Sequence, residues 1–132
     1  MSTLQVGTIK SASSAAPVFQ NSSGTEKGQL AKFWVAFQGT GTVSIESDFN
    51  VSSITDNGTG DYTISFDNSF SSNVYCVHGS NTVFSNGRNG FRVRPDGGMA
   101  SNQQAGSVRT QFTADGGMTD QNRAYVSGFG VN

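Results

Sequence analysis

From Gln29 onward the large apolar side chains come in short alternating runs, and each run ends at a cluster of Gly, Asn, Asp or Ser. Alternation with period two places successive side chains on opposite faces of a strand, and turn signals spaced roughly 8–12 residues apart belong to a β-sandwich or small barrel. Residues 32–38 have Phe33, Val35 and Phe37 on one face and Trp34 and Ala36 on the other. A segment apolar on both faces is expected at the centre of a sheet or at a subunit interface. Further strands are expected at residues 43–45, 48–51, 62–66, 74–78, 82–84, 91–94, 107–113 and 123–129. Val74, Cys76 and His78 share one face of theirs, and Arg92 and Arg94 lie opposite Phe91 and Val93. The Asn57-Gly58 pair predicts a hairpin turn inside the loop at 55–61. No segment reads as a helix. The expected class is all-β, an antiparallel β-sandwich of jelly-roll-like character with an extended N-terminal arm.

Composition narrows the class of partner. The 132 residues suit one domain. Ser, Thr, Asn, Gln and Gly make up about half of them, which disfavours a helical bundle or coiled coil, while ten Phe, three Tyr and Trp34 provide for a core. Eight basic and nine acidic residues give a net charge of −1, so no basic stripe awaits nucleic acid. No run approaches the roughly 18 apolar residues of a membrane span, and no membrane insertion is expected. The first residues lack the basic and apolar regions of a secretory leader. Cys76 is the single cysteine and His78 the single histidine. They cannot build an ordinary zinc site, and neither metal nor other cofactor is expected.

Residues 1–27 read as a docking or oligomerisation arm preceding a head domain at 28–132. Residues 3–10 alternate weakly and predict a short strand, a small-residue linker closed by Pro17 follows, and residues 21–26 form a turn. Leu4, Val6, Ile9, Val18 and Phe19 are its expected subunit contacts, and Phe33, Trp34, Val35 and Phe37 are expected either at an interface or in the core. Catalysis has little to build on. Cys76 and His78 are strand-face neighbours, a conceivable thiolate–imidazole pair, but a core cysteine beside a rim histidine explains them better. Residues 56–61 lack the distal bidentate Glu of a calcium loop, and Gly39-Thr40-Gly41-Thr42 lacks the Lys and helix of a phosphate loop. The chain is expected not to be an enzyme. Arg88, Arg92 and Arg94 are the densest basic group, able to meet an acidic glycan or a partner carboxylate. Asp96-Gly97-Gly98-Met99 and Asp115-Gly116-Gly117-Met118 repeat just beyond strands and read as turns. Asn86, Arg88, Arg92, Arg94, Asp96 and Asp115 are the candidate contact residues.

One stretch is more specific. Phe33-Trp34-Val35-Ala36-Phe37-Gln38-Gly39-Thr40-Gly41-Thr42-Val43-Ser44-Ile45, then Asp48-Phe49-Asn50-Val51-Ser52-Ser53-Ile54-Thr55-Asp56-Asn57-Gly58-Thr59-Gly60-Asp61-Tyr62, closely resembles a module of small virion and tail-fibre proteins of tailed bacteriophages. The resemblance covers residues 1–66, and the remainder matches only in character. It implies a phage structural protein residing in the virion. The chain lacks the long shaft of a complete fibre, so a compact tail-tip or fibre-like module contacting subunits or the host surface is expected. Capsid decoration and a free carbohydrate-binding module, with Trp34, Tyr62, Tyr75 and Tyr125 as stacking rings, are the alternatives. Expected partners are further copies of the chain as a homotrimer, other virion proteins, and a host surface glycan.

Overall fold

A computed structural model describes residues 4–10, 19–28, 30–82, 89–94 and 102–130. Val18, Asn86, Arg88, Asp96, most of the strand expected at 82–84 and the first Asp-Gly-Gly-Met repeat lie outside them. Twelve strands are formed among the described residues: β1 (Phe19–Gln20), β2 (Glu26–Gly28), β3 (Phe33–Gln38), β4 (Ser44–Phe49), β5 (Ser53–Gly58), β6 (Asp61–Ser65), β7 (Cys76–Thr82), β8 (Asn89–Val93), β9 (Gln103–Gln104), β10 (Ser107–Ala114), β11 (Gly117–Met118) and β12 (Arg123–Phe129). All pairings are antiparallel. One sheet has the order β4-β3-β12-β7. In the other, β5, β6 and β10 lie side by side; β8 and β9 pair with the far edge of β10, and β11 extends its near edge. The result is an all-β antiparallel sandwich. The hairpins β3–β4 and β5–β6 each stay within one sheet, so the chain does not switch sheets at every step as a jelly roll does.

Alternation decides what is buried. Phe33, Val35 and Phe37 of β3, Ala124 and Val126 of β12, Tyr62 and Ile64 of β6, and Val108 and Phe112 of β10 all face the core. The interface-or-core alternative for Phe33, Val35 and Phe37 therefore resolves to core, while Trp34 points outward and is 41% exposed. Aromatic rings gather at both ends of the interior. Phe37 meets Tyr62 with centroids 5.1 Å apart, and Phe91 meets Phe112 at 5.4 Å. At the other end Phe33 meets Phe66 at 4.5 Å and Phe70 stacks on Tyr75 at 3.9 Å. Such pairs add attraction beyond their area of burial. Phe70, in a polar loop by sequence, thus closes the core.

Two glycines allow this packing. A Cβ on Gly79 would sit 2.1 Å from the Phe91 ring, and one on Gly128 would sit 2.2 Å from Phe33. Between the sheets the chain turns at Asn50, whose φ of 60° is tolerated by Asn. Its amide nitrogen donates to the Lys32 and Asn68 carbonyls at 3.0 and 2.9 Å, and its oxygen accepts from the Asn68 amide at 2.7 Å.

Two expectations are corrected. Residues 4–10 form no strand; a lone strand has no ladder to satisfy its backbone. The β5–β6 hairpin turns at Thr59-Gly60, not at Asn57-Gly58. A bulge between Asp56 and Gly58 keeps the Asn-Gly pair inside the strand. The β1–β2 ribbon pairs with neither sandwich sheet, and Asn21 closes its turn by accepting from the Ser23 and Thr25 amides at 3.2 and 2.8 Å.

Candidate functional site

The two outer faces of the sandwich differ in chemistry. On the four-stranded sheet, strand register places Phe49, Trp34, Ser127 and His78 in one row and Ser47, Ala36, Tyr125 and Ser80 in the next. Trp34 and Tyr125 rise above the small side chains of Ala36, Ser80 and Ser127. Together with His78 they line an open groove of about 450 Å³. Phe49 and Phe129 extend the aromatic surface and are also exposed. Across this face the Arg123 guanidinium grips the Glu46 carboxylate, Nε to Oε2 at 2.5 Å and Nη2 to Oε1 at 2.9 Å.

The outer face of the second sheet is polar. Asp61 on β6 is 8% exposed although it lies on that face, because charged neighbours cover it. Arg109 on β10 donates from Nε to Asp61 Oδ1 at 2.7 Å and from Nη2 to Oδ2 at 3.1 Å. Gln111 donates to Oδ2 at 3.0 Å, and Arg94 Nη1 stands 3.7 Å from the same oxygen. Burial alone would push the Asp61 carboxyl up. The hydrogen bonds from Arg109 and Gln111 and the charges of Arg109 and Arg94 outweigh it and hold the group below the usual carboxylate range. Gln111 is also a bridge, since its Oε1 accepts from Arg92 Nε at 2.9 Å.

A third polar cluster lies at the sandwich rim. The Tyr62 hydroxyl lies 3.0 Å from both the Gly39 carbonyl oxygen and Asp120 Oδ1, and donates between them. Burial, then the bond to Asp120, pushes this phenol above its ordinary range. Asp120 Oδ1 also accepts from the Gly60 amide at 2.7 Å, which pins the β5–β6 turn.

The expected site residues separate accordingly. Arg92 and Arg94 do share a face, and Arg109, Asp61 and Gln111 join them there. The alternation of Ser107, Arg109 and Gln111 against Val108, Thr110 and Phe112 marks which face Arg109 takes, but not that β10 lies between β6 and β8. Asp115 occupies the β10–β11 turn with φ 50°, followed by Gly116 with φ 84°, the pair of left-handed residues a tight hairpin requires. Of the four stacking candidates, Trp34 and Tyr125 are exposed, whereas Tyr62 and Tyr75 are buried in the core and cannot meet a ligand. The expected core cysteine is corrected: Cys76 and His78 both lie on the outer, exposed face of β7, because the inner face of that strand is taken by Val77 and Gly79. Leu4, Val6, Ile9 and Phe19 are all exposed. Among the described residues no three metal-ligating side chains come together, and no helix is long and apolar enough to cross a membrane.

No protein-family model matches the chain, and no curated protein or solved structure matches it.

Proposed function

We propose that this chain is a non-enzymatic structural protein of a tailed-phage virion, a tail-tip or fibre-like module that packs against copies of itself and presents its remaining surface outward. The motif order through residues 33–66, which resembles the tailed-phage module, supports the virion setting. The observation that carries the packing is the aromatic face formed by Trp34, Phe49, Tyr125 and Phe129. Contiguous exposed aromatic surface marks an interaction site, and the fully buried part of a protein interface is enriched in such rings. Closed symmetry would let identical faces bury one another. The exposed apolar side chains of Leu4, Val6 and Ile9 add a second contact of the same kind. Docking of that arm on a capsid shell, as in a decoration protein, is the alternative those three residues favour.

Light scattering on the purified chain tests the packing. Three copies of 13.8 kDa are expected, and Trp34→Ser with Phe49→Ser should give a single copy with an unchanged circular dichroism spectrum. A single copy of the unaltered chain would refute self-packing. It would leave the aromatic face to another virion protein or to a stacked sugar ring.

A further inference from the structure

We propose that strand β7 is the docking edge for residues 4–10 of a second copy of this chain, which add to it as a fifth strand of the four-stranded sheet. This deepens the self-packing reading and rests on it for the identity of the partner. The contact lies along the border of the sheet and is separate from its aromatic face.

β7 pairs with β12 over its whole length with no shift of register, and every second residue turns its N–H and C=O away from β12. Among the described residues no backbone hydrogen bond meets those outward groups. Exposed edges are usually guarded by charged side chains or bulges. β4 carries Glu46 and Asp48 and pairs with β3 through a shift of register. β5 carries Asp56 and a bulge, and β8 carries Arg92. β7 has no Asp, Glu, Lys or Arg and no bulge, so it is the unguarded edge. Residues 4–9 are uncharged as well, and no like charges oppose the pairing.

Residues 4–10 match β7 in length, and among the described residues no backbone hydrogen bond ties them to the sandwich. As a strand they place Leu4, Val6 and Thr8 on one side and Gln5, Gly7 and Ile9 on the other. β7 has apolar surface to receive both sides. Inward, Val77 and Phe91 are only partly buried, and the Phe91 ring lies over Gly79 of β7; Leu4 and Val6 cover them. Outward, Ile9 joins the border of the aromatic face. Backbone bonds along an edge give affinity, and alternate side chains give the fit. An arm-to-edge contact is heterologous, so copies that each give an arm to the next close into a ring. One short strand is a small contact by itself, so the aromatic face drives association and the arm decides which copy comes next.

The test is amide exchange of the purified full chain, read by NMR beside its light-scattering mass. At concentrations where copies associate, the β7 amides that face away from β12 should exchange about tenfold or more slower than in Val6→Pro, since proline has no N–H and breaks the added ladder. Val6→Ile should keep the protection, and dilution to a single copy should remove it. Cys76 begins β7 and is the only cysteine, which gives a second readout. Under a mild oxidant, Leu4→Cys should link to Cys76 of the next copy if the added strand is parallel, and Ile9→Cys if it is antiparallel. One of the two should give a disulfide ladder of several copies, and adding Val6→Pro should abolish it. Linking at neither position would overturn the proposal, and so would equal linking at both, which means no fixed register. Protection that survives dilution would put the arm on its own sandwich and overturn it too. A single copy at every concentration would defeat the self-packing reading itself, whereas several copies whose β7 amides exchange as in Val6→Pro would defeat the docking edge alone.

Discussion

Trp34 and Phe33 are adjacent in the chain and opposite in consequence. Phe33 is sealed between the sheets against Phe66, while Trp34 faces out beside Ser127 and Phe49. Phe33→Ala or Phe112→Ala should cost about 3–5 kcal/mol in denaturant unfolding, the usual loss for a buried aromatic ring. Trp34→Ala should cost far less and act on association instead. Asp61 carries a prediction in pH. Its folded pKa lies below its unfolded value of about 3.9, so its contribution to stability is present above that value and is lost as pH falls through the folded one. Asp61→Asn should therefore be less stable than the parent at pH 7 in urea unfolding, and the gap should close in acid. A gap that persisted at low pH would mean that packing, not charge, sets the effect. Which side chains face in was legible at this scale, because period two is a local property. That Asp61 would be the buried anchor of an arginine array was not, because its partners come from β8 and β10, far along the chain.

Strand order and turn position depend on contacts that residue patterns do not reveal. The run 123–129 is β12 as expected, and the separate runs at 43–45 and 48–51 merge into β4 with a bulge between Ala36 and Phe37 of its partner β3. The Asn57-Gly58 pair does signal the hairpin, but the turn forms two residues further on. Gly60 holds the turn instead, with φ 64°, its amide on Asp120 and its carbonyl oxygen accepting from the Phe112 amide at 2.8 Å. A Cβ there would lie 2.6 Å from the Phe112 carbonyl oxygen. Gly60→Ala should thus cost more than about 1 kcal/mol, beyond the penalty for positive φ alone, in chemical denaturation. Gly58, which has positive φ but open space around its would-be Cβ, should tolerate the same change better. The arm offers the opposite experiment. Residues 4–10 are exposed and contribute nothing to the core, so deleting residues 1–27 should leave the dispersed amide spectrum of a folded sandwich by NMR. Collapse of that spectrum would make the arm part of the fold.

For the whole molecule, the sandwich separates two surfaces by one core: rings on one side, fixed cations on the other. Neither could be located from composition, which reports an average near neutrality. The sheet order has a further consequence in time. In each sheet a late strand is the seam, β12 joining β3 to β7 and β10 joining β6 to β8. A chain emerging from the ribosome carries both early hairpins before either seam exists, with their inner rings uncovered. The domain cannot close until residues 107–129 have left the ribosome, so both early hairpins must wait for the two seams. Until then nascent chains sitting close together on one message present matching unpaired edges to one another, and the hazard of mispairing is greatest just before β10 and β12 emerge.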